Sequence, residues 1–158
     1  MTADLAAQIL DIARATGKTI TCAESCTGGK VAVALTDLPG SSSIFERGFV
    51  TYSNAAKADM LGVSKATLDQ HGAVSEEVAA EMAMGARRAA TADVAVSISG
   101  IAGPGGSEFK PEGRVCFGLA TPLGVQTQTV EYGALGRGHV RNAATKHALS
   151  LILEALSN

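Results

Sequence analysis

Between residues 93 and 99 the chain reads "DVAVSIS", a β-rich run with no charge after its opening aspartate. A strand wet on one face places charged or large polar residues at every second position; one without them is expected to be covered on both faces. Covering it requires helices above and below, so this run alone points to a layered α/β architecture. With 158 residues the chain has room for one well-formed core, and one domain over residues 1–158 is expected.

The flanking segments supply the layers. Leu5, Ile9, Leu10, Ile12 and Ala13 recur at helical spacing up to Gly17, a residue suited to the left-handed stop after a helix. "KTITCAE" then reads as a short strand, the Gly28-Gly29 pair as a turn, and "KVAVALTDL" as a helix ended by Pro39-Gly40. "SSSIFERGFVTYS" predicts a turn and a strand, and Asn54 is placed to cap a short helix over "AAKADMLG". One or two helical turns follow in "SKATLDQHGAV". Ser75, with Glu76 and Glu77 in the first turn, predicts a long helix running to about Thr91. "RVCFGLATP" and "GVQTQTVEY" predict an antiparallel hairpin, and a closing helix spans about 138–156 with Val140, Ala144, Ala148, Leu151 and Ala155 as its apolar stripe. The expected fold is a three-layer α/β/α sandwich around a mixed sheet of about five strands.

Composition narrows the chemistry. Lys and Arg number 13 against 15 Asp and Glu, and the cations are scattered, so a nucleic-acid partner is not expected. No run of about eighteen apolar residues offers a membrane span. Three cysteines without regular spacing argue for a reducing, cytoplasmic setting, and the N-terminal stretch has no secretory leader pattern. Cys22 and Cys26 lack a second Cys or His pair at zinc spacing, so neither a metal nor another cofactor is called for.

In sheets of this kind ligands lie beyond the carboxyl ends of the strands. Two loops qualify: "ESCTGG", with Glu24, Ser25, Cys26, Thr27 and Gly28, and "SGIAGPGGS", with Ser99, Gly100, Ile101 and Gly103. Amides at a strand-to-helix turn can hold a phosphate or an oxyanion, while Ser25 or Thr27 can equally be a plain helix cap. Ser25 and Cys26 are alternative nucleophiles, and a serine can use lysine as its base where burial holds the amine neutral. Lys57, five residues after Tyr52 in "TYSNAAK", is placed to share the sheet edge with Ser25. Cys22 and Cys116 read as small packing residues. Arg137 and Arg141, four apart on one helix face, suit phosphate or carboxylate recognition, or simply a solvated face.

Taken together, "TCAESCTGG", "FERGFVTYSNAAKADMLGV", "HGAVSEEVAAEMA", "AVSISGIAGPGGS" and the late Arg-containing helix start resemble the C-terminal domain of the competence/damage-inducible CinA proteins over almost the whole chain. The resemblance implies an α/β/α fold, often dimeric, and hydrolysis of the carboxamide of nicotinamide mononucleotide to nicotinate mononucleotide and ammonia without a metal. It also implies Ser25 as nucleophile, Lys57 as base and Tyr52 as an assisting group. The pyridine nucleotide is then expected against the two loops and the two arginines. Two departures fall in the binding region: Gly136 stands where the family commonly has Asp, and the "GPGGS" loop is one residue short. They keep open a second expectation, a nucleotide-binding module without turnover.

Overall fold

The computed structural model describes residues 2–107 and 109–158. In chain order the elements are α1 (Thr2–Thr16), β1 (Ile20–Glu24), α2 (Lys30–Thr36), a 3-10 turn (Ser41–Ser43), β2 (Phe49–Val50), α3 (Asn54–Leu61), α4 (Lys65–His71), α5 (Glu76–Ala90), β3 (Val94–Gly100), β4 (Arg114–Thr121), β5 (Gly124–Glu131) and α6 (Arg137–Ser157). The five strands form one mixed sheet in the order β2-β1-β3-β4-β5. The first three run parallel; β4 is antiparallel to β3, and β5 to β4. This is the expected sandwich, with "DVAVSIS" in its central strand.

Alternation along β1 and β3 sorts the two faces. Ile20, Cys22, Val94, Val96 and Ile98 point into a cluster of large aliphatic residues shared with α1, α2 and α6. Ala23 and Ala95 point to the other face, where small residues meet α5. There Ser97 Oγ donates to Ala79 O at 2.6 Å, and a Cβ added to Gly118 would lie 2.4 Å from the same oxygen. The small side chains let α5 approach the sheet closely, and the alanine-rich composition follows from that packing. Among the described residues no helix is long and apolar enough to cross a membrane.

Local details differ from expectation at two points. Ser53, not Asn54, caps α3, its Oγ accepting from Ala56 N at 3.0 Å, because the extended backbone needed for a cap falls on Ser53. The buried stripe of α6 is wider than expected: it includes Leu149, Ile152 and Leu156, while Ala155 is only half-buried. Ser75 caps α5 as expected, accepting from Val78 N at 3.2 Å.

Gly85 fixes α5 against the end of α3, since a Cβ there would lie 1.9 Å from Leu61 O. Backbone cannot retreat from such a contact without moving α3. Gly85→Ala is expected to destabilise the protein by about 3 kcal/mol, which for a chain of this size lowers the melting temperature by about 10 °C. Thermal unfolding followed by circular dichroism checks this.

Candidate active site

The parallel strands β2, β1 and β3 lie side by side, so their carboxyl ends open on one edge of the sheet. Ser25 follows β1, Thr51 and Tyr52 follow β2, and Ser99 to Gly103 end β3 and enter the next loop. They enclose a cleft of about 360 Å³ whose wall also includes Cys26, Asn54, Lys57 and Arg137. The size is at the lower end of ordinary small-molecule sites.

Lys57 is among the largest fully buried side chains of the described residues, 1% exposed. It sits one turn into α3, and its amine donates to Ser25 Oγ at 3.0 Å and to Thr51 O at 2.8 Å. Among the described residues no carboxylate partners it, and burial lowers its pKa from the ordinary lysine value of 10.5. A buried ammonium without a counter-ion is costly, so the neutral amine is favoured more than in water. Ser25 and Lys57 thus stand as a hydroxyl and a buried amine in hydrogen-bond contact.

Glu24 was expected beside the substrate, but the structure gives it another task. It is fully buried on the α2 side of the sheet. Its Oε1 accepts from Gly29 N at 3.2 Å and Val31 N at 3.0 Å; its Oε2 accepts from Ala32 N at 3.0 Å. The carboxylate therefore satisfies the first turn of α2 from within the protein. In the same turn Gly28 N donates to Ser25 O, and Lys30 N to Thr27 O. The amides of Cys26 and Thr27 make no backbone hydrogen bond to another described residue. Of these two residues, Cys26 lines the cleft.

Thr27, Gly28 and Arg141, also expected at the substrate, lie behind the cleft wall for related reasons. The Thr27 side chain is fully buried, with its Oγ1 unpartnered. Gly28 adopts φ +58°, the left-handed conformation that completes the turn. Arg141 donates from Nε to Cys26 O at 3.0 Å and from Nη2 to Thr27 O at 3.2 Å. Arg137, one helical turn earlier, does line the cleft, donating from Nη1 to Gly103 O and from Nη2 to the Tyr52 hydroxyl, both at 2.8 Å. Tyr52 is exposed and hydrogen-bonds to Arg137, not to Ser25 or Lys57. Ser99, Gly100, Ile101 and Gly103 all line the cleft, the Ser99 hydroxyl donating to Ala73 O at 2.8 Å.

Asn54, expected from sequence only as a helix cap, lines the cleft, as do Ala73 and Val74, which the sequence did not mark. Asn54 stands three residues before Lys57, so helical spacing from that lysine was the available signal. Ala73 and Val74 come from the α4–α5 connection, which carries no chemical mark. Among the described residues no group of three or more His, Cys, Asp or Glu is placed to hold a metal ion.

The CinA C-terminal domain family model matches residues 2–156. The nicotinamide-nucleotide amidohydrolase PncC of Escherichia coli strain K12 is 57% identical over 149 residues, covering 94% of this chain and 90% of that protein. A CinA-like protein of Shewanella denitrificans is 48% identical over 153 residues, 96% of this chain but 36% of that longer protein. Among solved structures, the competence/damage-inducible protein CihA from Agrobacterium tumefaciens superposes with a TM-score of 0.94 at 45% identity, covering 99% of this chain and 96% of that one. A CinA-superfamily protein from Escherichia coli gives 0.94 at 36% identity, covering 98% and 90%.

The environment of Cys26 bears on the choice between neighbouring nucleophiles. It is 5% exposed, and burial pushes its thiol up to about 11. The thiolate is what alkylates, so iodoacetamide at pH 8 is expected to modify Cys26 at least tenfold more slowly than free cysteine. Peptide mapping by mass spectrometry over time measures it, and rapid labelling of Cys26 would restore the thiol as a nucleophile.

Proposed function

Because the chain belongs to the CinA C-terminal domain family, we propose that it hydrolyses the carboxamide of nicotinamide mononucleotide, releasing ammonia and nicotinate mononucleotide, with Ser25 as nucleophile and Lys57 as base. The observation that carries this reading is the 3.0 Å contact between Lys57 Nζ and Ser25 Oγ, made by an amine buried without a counter-ion among the described residues. The activity for which the 57% identical relative is named supplies the substrate.

The steps follow from the groups present. Neutral Lys57 takes the Ser25 hydroxyl proton as Oγ attacks the carboxamide carbon, and Thr51 O keeps the amine pointed at Oγ. The oxyanion that forms is held by the Cys26 amide, which has no backbone partner among the described residues. Lys57, now protonated, passes its proton to the departing nitrogen, and ammonia leaves. A water molecule then gives a proton to Lys57 and attacks the Ser25 ester. Collapse returns that proton to Ser25 and frees the acid.

Arg137 is the cleft's exposed cation, suited to the nucleotide phosphate. Tyr52, bound to it, assists from that end of the cleft. Gly136, at φ +99° and ψ 145°, still starts α6 so that Arg137 reaches the cleft. That placement favours turnover over the silent-module reading.

Ammonia release from nicotinamide mononucleotide tests the proposal directly. Ser25→Ala and Lys57→Met are each expected to reduce kcat at least a thousandfold, and hydroxylamine is expected to divert the Ser25 ester to a hydroxamate. Activity requires neutral Lys57, so kcat/KM is expected to rise with pH and level off at an apparent pKa below 10.5. Unchanged ammonia release by Ser25→Ala would sink the mechanism, and tight binding of the nucleotide without any turnover would sink the activity.

A further inference from the structure

The arginine one turn beyond Arg137 is not among the residues lining the cleft, yet it makes two hydrogen bonds to the turn that carries the nucleophile. Arg141 Nε donates to Cys26 O at 3.0 Å and Nη2 to Thr27 O at 3.2 Å, across 115 residues of sequence. Two parallel donors on a planar guanidinium fix orientation as well as distance, which a single-point ammonium does not. The two carbonyls they hold belong to consecutive peptide planes. Since each plane is rigid, holding both oxygens fixes the pitch of the turn between them.

That turn has few other restraints on its outer side. Its inner side is closed by the bond from Gly28 N to Ser25 O, at 3.0 Å, and its far end is tied to Glu24 through Gly29, Val31 and Ala32. The segment between, Cys26 and Thr27, holds the two amides that make no backbone bond to another described residue. Gly28 leaves room for the clamp: a Cβ there would come to 3.1 Å from Arg141 Nη2. The C-terminal helix is itself seated by buried Val140, Ala144 and Ala148, so the guanidinium is presented by a rigid element.

We infer that Arg141 is a positioning residue for the nucleophile turn, acting through the carbonyls of Cys26 and Thr27 to hold the Cys26 amide and Ser25 in register, and that it takes no part in binding the nucleotide phosphate. The inference rests on the amidase reading above for its rate measurements, but its geometry concerns Ser25 and the turn alone. The two arginines of α6 thereby divide their work: Arg137 faces the ligand and Arg141 the backbone.

The test compares Arg141→Met, Arg141→Lys and Arg137→Met in the full chain, each checked for an unchanged melting temperature. Arg141→Met is expected to lower kcat tenfold to a hundredfold with KM within about twofold, because a small misplacement of reacting groups has an effect of that order. Arg141→Lys is expected to recover part of the loss, and millimolar guanidinium is expected to restore the Met variant but not Ser25→Ala. Arg137→Met is expected to raise KM instead. Acylation of Ser25 by p-nitrophenyl acetate, followed by mass spectrometry, gives a second readout independent of the nucleotide. If the wild type acylates but releases no ammonia, the amidase reading fails while the positioning role is still measured. A raised KM with unchanged kcat and unchanged acylation in Arg141→Met would overturn the inference, as would loss of activity that neither lysine nor guanidinium restores.

Discussion

The site turns on a lysine amine held out of water. An ammonium in that position would need an anion beside it, and the described residues offer only a serine hydroxyl and a backbone carbonyl. Both are neutral, and neither offsets the loss of hydration. The amine is therefore biased toward its uncharged form, which can accept a proton from Ser25 while donating to Thr51. Had a carboxylate been packed there, the lysine would be a structural ion-pair partner with no capacity as a base.

Keeping that amine dry is a task for the fold as a whole. Lys57 lies on α3, a helix of eight residues with little amphipathic character of its own. It is held in place by its Ser53 cap and by the close contact of Leu61 with Gly85 of α5. Helix α5 in turn reaches the sheet only because Ala95, Ser97 and Gly118 present almost no side chain to it. The opposite face, with Ile9, Ile98, Phe117 and Leu149, is an ordinary aliphatic core. The asymmetry has a chemical consequence: the small-residue face brings α3 near the sheet edge where β1 ends, and so brings Lys57 to Ser25.

Much of this is legible in the order of residues along the chain. Strand β3 announces itself by lacking charge, Ser75 and the acids after it mark α5, and the shared edge of Ser25 and Lys57 follows from two strand ends. What the order of residues conceals is direction. Spacing places Glu24, Thr27, Gly28 and Arg141 near one turn, but cannot say which side of that turn each approaches. Glu24 is on the face of β1 that carries Ile20 and Cys22, and α2 lies on that face, so its oxygens meet amides of α2 instead of a ligand. Arg141 follows Arg137 by one turn, and that rise alone moves its guanidinium from the cleft to the carbonyls behind it. The capping of α3 by Ser53 instead of Asn54 is an ambiguity of one residue that only backbone angles resolve.

The position of Glu24 also changes how charge is stabilised in the reaction. An open helix N-terminus would offer several amides and a partial positive charge to an oxyanion. Here the carboxylate already occupies that end of α2, so the dipole is answered inside the protein and individual groups must serve instead. Among the described residues the cleft is lined by one amine, Lys57, and one guanidinium, Arg137, and by no carboxylate. In the proposed mechanism Lys57 becomes charged only on taking the serine proton, so its positive charge would arise together with the negative charge on the substrate oxygen. A charge absent before attack favours the transition state over the bound substrate, which is the differential stabilisation that raises kcat. Arg137, charged throughout, would in that mechanism act on both states alike and so contribute to binding. In the proposed mechanism the burial that suits Lys57 to act as a base thus also suits it to act as an electrostatic catalyst, and the internal capping of α2 by Glu24 leaves that role to it.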